Sequence, residues 1–306
     1  MKVLVTGCNG KLGQAVCETL FAAGHVVAGI DAAAAPDRPH RVVIDTLLNP
    51  YALHRGFELL GGGADAVVHL ANHVNSLVGP AETVFRENNA INSSVFVGSW
   101  QAGVPRIVFA SSVQAMIGGA EPDGSPSQRK PVRLPIDESM PARPTNVYGL
   151  SKILAEQMLD HLCAADRFAK PMSAVSVRLP FIMMGKWFEV SVAKSGQSDW
   201  MWGGSECYSY IVREDAAEAF RLAIEASVTG HEIVWCAAPD PRVPLGETAA
   251  TLLDRYYSDV PGVEVARRRD SLMNCDKAAA LLGWRAARIL REERERRGLI
   301  SPPPRP

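Results

Sequence analysis

A tyrosine and a lysine stand four residues apart in TNVYGLSK (145–152), where the sequence indicates the start of a helix. On a helix, Tyr148 and Lys152 are only about 40° apart around the axis and share one face. The apolar residues of this segment gather on nearly the opposite side: Leu150, Ile153, Leu154 and Met158. A nearby ammonium group favours the phenolate and lowers a tyrosine pKa from its usual value of about 10. The pair could therefore exchange a proton with an alcohol or a carbonyl group.

Three glycines in VTGCNGKLGQAV (5–16) follow one strand-like segment and precede a helix-like one. Gly7, Gly10 and Gly13 permit a tight turn whose bare N–H groups approach a pyrophosphate, while the helix N-terminus stabilises its charge. Asp31 ends the second strand-like segment, eighteen residues beyond Gly13. A carboxylate there accepts hydrogen bonds from a ribose hydroxyl and repels a 2′-phosphate. The pattern predicts an NAD site rather than an NADP site.

These groups need a scaffold, which the first two-thirds of the chain supplies. Short apolar runs alternate there with helix-length segments, at 3–5, 25–30, 41–44, 66–70, 106–110 and 174–178. Continuous apolar runs of this kind are typical of parallel strands buried on both faces. The predicted fold class is α/β, a Rossmann-like doubly wound parallel sheet with a smaller, mainly helical C-terminal domain.

The domain boundary is predicted near residue 179, where the alternation ends. Residues 1–179 would form the NAD-binding domain, with about 211–236 returning to it, and 180–306 the smaller substrate-binding domain. The stretch 118–144 is rich in Pro, Gly, Ser and charged residues and lacks periodicity, so a long loop is predicted. Such a loop is either a lid or an insertion without a role.

Composition narrows the class of partner to a small molecule. The 306 residues carry a formal net charge of −1, so neither nucleic acid nor an anionic membrane is expected as a partner. The six cysteines are scattered without metal-ligand spacing, so no metal is expected. The first strand-like segment begins at Lys2, and no apolar run approaches the ~20 residues of a membrane span. The expected location is cytoplasmic.

The motif TGxxGxxG together with YxxxK resembles the extended short-chain dehydrogenase/reductase family, the NAD-dependent sugar epimerase/dehydratase group. Further segments resemble that family along nearly the whole chain: VVIDTL (42–47), VVHLAN (67–72), ENNAINSSV (87–95), RIVFASS (106–112), YIVREDAAEAF (210–220) and CDKAAALLGW (275–284). The resemblance, together with the glycine pattern, implies these cofactor-binding residues: Gly7, Asn9, Gly10, Leu12, Gly13, Asp31, Asp45, Thr46, Leu70, Ala71, Asn88, Tyr148 and Lys152.

The resemblance also implies the catalytic set Ser112, Tyr148 and Lys152. The serine would hydrogen-bond the reacting oxygen, with Ser111 as the second choice for that role, and Lys152 would also hold the nicotinamide ribose. Tyr148 would take a hydroxyl proton as the substrate carbon gives its hydride to NAD. Dehydratases of the family often carry Asp-Glu directly after the serine or threonine, whereas Val113 follows here, which disfavours dehydration. The family also implies a homodimer paired through the YxxxK helix and the preceding helix.

Two positions depart from the nucleotide-sugar members of the family. Phe181 stands where they usually carry an asparagine, and Tyr208 where they tend to carry a phosphate-binding arginine. The sequence of 103–152 is similar to the corresponding segment of uronate dehydrogenases, which oxidise free sugar acids. His73 and Asn75 follow the fourth strand at the rim where family members touch substrate. The predicted substrate-binding residues are therefore His73, Asn75, Ser112, Phe181 and Tyr208.

The sequence predicts an NAD-dependent dehydrogenase acting on a secondary alcohol or hemiacetal carbon of a sugar-like, non-nucleotide substrate. A nucleotide-sugar epimerase is the second hypothesis. A more hydrophobic alcohol or ketone stays open as the substrate, because four residues could form an apolar pocket: Met183, Met184, Trp187 and Phe188. A third hypothesis is a non-catalytic NAD-binding scaffold, which would have no chemical use for Ser112, Tyr148 and Lys152.

Overall fold

The computed structural model describes residues 1–35, 39–75, 77–121, 123–165, 171–200 and 203–301. The described residues form nine strands: β1 (Lys2–Thr6), β2 (Val26–Asp31), β3 (Arg41–Ile44), β4 (Ala66–His69), β5 (Arg106–Ser112), β6 (Ser173–Leu179), β7 (Phe181–Met183), β8 (Tyr210–Val212) and β9 (His231–Trp235). They also form ten α-helices: α1 (Lys11–Ala22), α2 (Ala52–Leu59), α3 (Ala81–Gln101), α4 (Val147–Ala164), α5 (Gly185–Ala193), α6 (Arg213–Glu225), α7 (Ala249–Tyr256), α8 (Val263–Arg269), α9 (Asp276–Leu282) and α10 (Leu290–Arg296).

Seven strands form one parallel sheet in the order β3-β2-β1-β4-β5-β6-β9. Every segment predicted as a strand falls on a strand of this sheet, to within two residues at its ends. The central strands β4 and β6 are buried along their whole length. This burial explains their uninterrupted apolar runs, since both faces of the sheet are covered. The predicted doubly wound α/β fold is confirmed.

Helices cover both faces of the sheet. On one face α2, α3 and α4 enclose a core that includes Leu4, Ile107 and Phe109. On the other face α1, α6 and α9 enclose a second core that includes Val5 and Val108. Parallel strands end at one edge, so the residues after β1, β2, β4 and β5 meet there. Among the described residues, no helix combines the length and apolar composition needed to cross a bilayer.

The remaining elements build a smaller unit beside that edge. The strands β7 and β8 pair with each other and pack on α5 and α10. The segment 118–144 joins a core with α7 and α8 through its buried residues Leu134, Ile136 and Met140. Its backbone is tied to this unit as well, since Ile136 N donates to Leu272 O at 2.8 Å. The predicted loop is therefore anchored in the smaller unit and is not a free lid.

The two-domain division at residue 179 stays a prediction. The strand β6 ends at Leu179, which is the predicted boundary. Beyond that point, α6 and β9 pack back on the sheet, in keeping with the predicted return of 211–236. Helix α9 also packs there through Ala278 and Leu282, although its residues were assigned to the smaller domain from sequence.

Candidate active site

The glycines form a tight turn between β1 and α1 at the carboxyl edge of the sheet. Gly7 has a φ of +70°, and a Cβ on it would lie 2.9 Å from the backbone nitrogen of Ala71. A Cβ on Gly13 would lie 2.0 Å from the carbonyl oxygen of Gly7. Only glycine fits both positions. The result is a bare backbone concavity in front of the N-terminus of α1, which is suited to a phosphate.

A cavity of about 440 Å³ extends from this turn along the ends of β2 and β3. Its lining includes most of the predicted cofactor-binding residues: Gly7, Asn9, Gly10, Asp31, Asp45, Thr46, Leu70 and Ala71. The Asp31 carboxylate accepts hydrogen bonds from the backbone N–H groups of Asn9 (2.8 Å) and Ala33 (2.9 Å). A carboxylate has about four acceptor positions, so capacity remains for a ribose hydroxyl.

A second cavity, of about 700 Å³, adjoins the first and shares Gly7, Gly10 and Leu70 with it. Its lining brings together the predicted catalytic residues and further predicted contacts: Leu12, Gly13, His73, Asn75, Ser112, Tyr148, Lys152 and Phe181. The two cavities form one cleft, with the glycine turn between a nucleoside-sized end and a catalytic end.

The start of α4 sets the position of the tyrosine. Asn146 caps the helix, its Oδ1 accepting a hydrogen bond from Gly149 N at 2.9 Å. A Cβ on Gly149 would lie 2.1 Å from the carbonyl oxygen of Gln114, so this first turn packs directly on the short 3₁₀ turn after β5. The close approach places Tyr148 beside Ser112 at the end of β5.

A chain of hydrogen bonds fixes the lysine from behind. Lys152 Nζ donates to Asn72 Oδ1 at 2.7 Å and to Ala110 O at 2.8 Å. Asn72 Nδ2 and His69 Nε2 both donate to Asn92 Oδ1, at 2.9 and 3.0 Å. The hydroxyl of Thr6 donates to His69 Nδ1 at 2.6 Å, because burial lowers the pKa of His69 to about 3 and keeps the ring neutral. These hydrogen bonds fix the position of the ammonium group and link it to Thr6 at the end of β1.

The protonation state of the tyrosine differs from the sequence expectation. Burial raises the pKa of Tyr148 to about 12, the hydrogen bond with Ser112 lowers it, and the charge of Glu206 raises it. Burial lowers the pKa of Lys152 to about 7, against the attraction of Glu156. The predicted lowering of the Tyr148 pKa is therefore wrong for the protein alone. Burial is the largest cause of this shift, and Lys152 Nζ lies 5.3 Å from the ring centroid and donates to Asn72.

The two candidate serines have different surroundings. Ser111 is buried, and its hydroxyl donates to Glu156 Oε1 at 2.6 Å. That carboxylate also receives Nε and Nη2 of Arg178, at 2.9 and 2.7 Å. Ser112 Oγ accepts from Gln114 N at 3.2 Å and faces the hydroxyl of Tyr148. The arrangement favours Ser112 for the reacting oxygen and gives Ser111 a structural role.

Three of the predicted substrate-binding residues, His73, Asn75 and Phe181, line the catalytic cavity. His73 lines both cavities, and its Nε2 lies 2.8 Å from the Glu87 carboxylate. Asn75 lines the catalytic cavity, and its Oδ1 accepts from Leu77 N at 2.8 Å. Phe181 is 40% exposed and lies between this cavity and a neighbouring apolar one that Trp187 also lines.

Two predicted contacts do not reach the cleft. Asn88 is fully buried behind it, where its Oδ1 accepts from His73 N at 2.8 Å and its Nδ2 donates to Ser151 Oγ at 3.3 Å. It steadies the rim and does not line the cofactor cavity. Tyr208 is 1% exposed in the core of the smaller unit, with its hydroxyl donating to Asp199 O at 2.7 Å. Its ring stacks on that of Tyr256, with centroids 6.1 Å apart, and it does not line the catalytic cavity.

Five polar residues that the sequence did not identify as site residues line the catalytic cavity: Lys11, Asn72, Gln114, Glu206 and Arg213. Asn72 and Gln114 lie inside or beside segments with family resemblance. Their place at a strand end could be predicted from the sequence, but their role could not. Glu206 lies in an irregular stretch without a motif, and no sequence signal identifies it. Arg213 is paired with Glu214, to which its Nη2 donates at 2.6 Å.

Comparison with known proteins identifies the family. The model of the NAD-dependent epimerase/dehydratase family matches residues 3–236. The chain belongs to this family. NAD is the family's cofactor, so the predicted cofactor and the predicted class of NAD-dependent enzyme, of the extended short-chain type, are confirmed at that level.

The relatives of this family member include both an epimerase and a dehydrogenase. The chain is 27% identical to a UDP-glucose 4-epimerase of Corynebacterium glutamicum, over 93% of this chain and 90% of that protein. It is 27% identical to a uronate dehydrogenase of Pseudomonas syringae pv. tomato, over 88% and 85%. The structure of the Thermus thermophilus UDP-glucose 4-epimerase with NAD superposes with a TM-score of 0.66 and 21% identity, over 96% and 97%. The last comparison supports the fold.

Proposed function

We propose that this family member is a dehydrogenase that oxidises a secondary alcohol or hemiacetal carbon of a sugar-like, non-nucleotide substrate. The observation that carries the proposal is the convergence of Ser112, Tyr148 and Lys152 on one wall of a cleft that begins at the glycine turn. NAD, when bound, accepts the hydride. The concavity that a Cβ on Gly7 or Gly13 would fill suits its pyrophosphate, and Asp31 suits its ribose.

The chain's own residues would hold and move the proton. Ser112 would donate a hydrogen bond to the reacting oxygen, which lies within reach of the Tyr148 hydroxyl. Tyr148 would accept the hydroxyl proton, and this needs its pKa to fall from about 12. A charged Lys152 favours the phenolate. Asn72 and Ala110 O support that charge, because both are acceptors for the ammonium group.

The non-nucleotide substrate is supported by the lining of the cleft. Phe181 presents an exposed apolar ring at the position where nucleotide-sugar members usually carry an asparagine. Tyr208, at the position of their phosphate-binding arginine, is buried and uncharged. A UDP-sugar epimerase is the second candidate, favoured by the near full-length match to the Corynebacterium enzyme.

The test is NADH formation by the purified protein with NAD over free aldoses, uronic and aldonic acids, and UDP-sugars. Tyr148→Phe is the control variant. Turnover of a free sugar or sugar acid, lost in Tyr148→Phe, would support the dehydrogenase. Isomerised UDP-sugar without net NADH would establish the epimerase instead. Equal behaviour of Tyr148→Phe in every assay would favour the non-catalytic scaffold.

We also propose a homodimer through α3 and α4. Leu150 and Leu154 on α4 are 38% and 36% exposed, and α3 packs beside α4. Leu150→Lys should convert a dimer into a monomer in light scattering at micromolar concentration, whereas Val265→Lys, on the exposed face of α8, should not. A monomeric wild-type protein would refute the pairing. The cytoplasmic location stays a prediction.

A further inference from the structure

Glu206, a residue of the smaller unit, places a carboxylate in the catalytic cavity. It lines the cavity that Ser112 and Tyr148 also line, and its charge raises the pKa of Tyr148. Gln114 Nε2 donates to Glu206 Oε1 at 2.9 Å, and Asn146 Nδ2 donates to Gln114 Oε1 at 3.2 Å. The carboxylate is thus linked to the cap of α4 by side-chain amides.

The backbone around Glu206 is built to hold it there. It ends the 3₁₀ turn Gly204–Glu206, where the Tyr257 hydroxyl donates to Gly204 O at 2.5 Å. The next two residues, Cys207 and Tyr208, have φ values of 54° and 51°, which non-glycine residues rarely adopt. Gly118 packs closely against this side chain, since a Cβ on Gly118 would lie 2.5 Å from Glu206 Cγ. Such strain persists where surrounding contacts over-determine the backbone, and it clusters at functional sites.

Among the described residues, Gln114 is the one hydrogen-bond donor to the Glu206 carboxylate. Glu206 Oε1 receives Gln114, whereas no side chain or backbone group in the described part of the chain donates to Oε2. Burial raises the pKa of Glu206, and the Gln114 hydrogen bond and the Arg242 charge oppose that rise. A half-buried carboxylate is costly without donors, because it is an acceptor only. A ligand that fills this cavity should therefore bring an O–H or N–H group.

We propose that Glu206 selects a neutral, hydroxyl-bearing sugar, by accepting a hydrogen bond from a substrate hydroxyl and repelling a sugar acid or sugar phosphate. The assignment deepens the proposed function and rests on it for the sugar-like character of the ligand. A uronate is a sugar acid, so the proposed preference for a neutral sugar differs from the substrate in the name of the uronate dehydrogenase relative.

In the described part of the chain, three cations line the cavity, Lys11, Lys152 and Arg213, and Arg242 adjoins it. Lys11 is exposed to solvent, and Lys152 Nζ donates to Asn72 Oδ1 and Ala110 O. Arg213 donates twice to Glu214, through Nε at 3.0 Å and Nη2 at 2.6 Å, so its charge is already paired. Arg242 lies over the ring of Phe181 at 4.5 Å and lines the neighbouring apolar cavity. Its attraction moderates the charge of Glu206 without offering an anion site beside Ser112.

The test uses sugar pairs that differ only in a CH₂OH or COO⁻ group: D-glucose with D-glucuronate, and D-galactose with D-galacturonate. For each pair we measure kcat/KM with NAD, and binding by calorimetry to the NAD-loaded Tyr148→Phe protein, which does not depend on turnover. The variants are Glu206→Gln, which keeps shape, and Glu206→Asp, which keeps charge. Glu18→Gln on the exposed side of α1 is the matched control.

Two unit charges at about 5 Å and an effective dielectric of about 20 repel by an amount worth roughly a few hundredfold in an equilibrium constant, which the attraction of Arg242 reduces. We expect the wild type to prefer the neutral sugar by at least about tenfold. Glu206→Gln should narrow the ratio by a similar factor, while Glu206→Asp and Glu18→Gln should keep it. Binding with this pattern but without turnover would refute the proposed reaction and leave the assignment of Glu206 standing.

Three results would overturn the assignment. The first is a wild-type protein that prefers the sugar acid. The second is a ratio of neutral sugar to sugar acid that Glu206→Gln leaves unchanged. The third is the absence of binding by both neutral sugars. Thermal melting of each variant distinguishes these results from misfolding.

Discussion

Replacing Arg178 by methionine should lower the free energy of unfolding by about 3–5 kcal/mol. Arg178 and Glu156 are only 4% and 3% exposed, and the guanidinium donates two hydrogen bonds to the carboxylate, at 2.9 and 2.7 Å. Methionine would leave Glu156 with Ser111 as its remaining side-chain donor. The predicted loss is therefore mostly the cost of a buried carboxylate without its counter-charge, and only to a smaller extent the lost attraction.

If the unpaired carboxylate causes most of the loss, a second variant that also removes this charge should be more stable than Arg178→Met. In Arg178→Met/Glu156→Gln the charge is gone and the amide still accepts from Ser111, so more than half of the lost stability should return. Urea unfolding followed by circular dichroism measures both variants. Arg267→Met is the control, since Arg267 and Asp254 form an exposed pair worth at most about 1 kcal/mol. A loss below about 1 kcal/mol for Arg178→Met, or a double variant no more stable than the single one, would refute the argument.

Three further predictions concern the cleft. Gly13→Ala should abolish NAD binding in calorimetry and lower the melting temperature, because its Cβ would lie 2.0 Å from a carbonyl oxygen; Gly63→Ala, which meets no atom within 4 Å, should do neither. The lowered pKa of Lys152, about 7, means that the unfolded chain holds one more proton between about pH 7 and 10, so stability should rise with pH there. Lys152→Met should lose that rise in urea titrations, and a slope equal to wild type would contradict the burial argument. Asn72→Ala removes an acceptor of the ammonium group and should reduce kcat about tenfold with little change in KM for NAD, whereas wild-type kcat would show that Asn72 has no positioning role.

The sequence was informative wherever local geometry restricts residue type. Gly7 and Gly13 occupy positions that exclude a Cβ, and the buried strands β4 and β6 require continuous apolar runs, so motif and pattern both point to the observed sheet. Asp31 and the rim residues follow strand ends, and parallel strands bring such positions to one edge. The glycine turn, most of the cofactor cavity and the rim were predictable for that reason.

Other features depend on tertiary contacts that a single sequence does not display. The pKa of Tyr148 is raised mainly by burial, which the spacing of Tyr148 and Lys152 does not reveal. The buried position of Tyr208 and the placement of Glu206 both follow from packing of the smaller unit. The segment 118–144 looks polar and irregular, but Leu134, Ile136 and Met140 anchor it; their spacings of two and four residues do not follow one period along the segment.

The hydrogen-bond chain behind Lys152 also limits where a released proton can travel. Asn72 and Asn92 link the lysine to His69 through amide groups, which neither gain nor lose protons near neutral pH. His69, with a pKa of about 3, cannot act as a reservoir there. Along this route behind Lys152, therefore, no side chain stores a released proton near neutral pH. In the proposed oxidation, the proton taken up by Tyr148 therefore has to leave on the side of the catalytic cavity, which His73 and Phe181 also line.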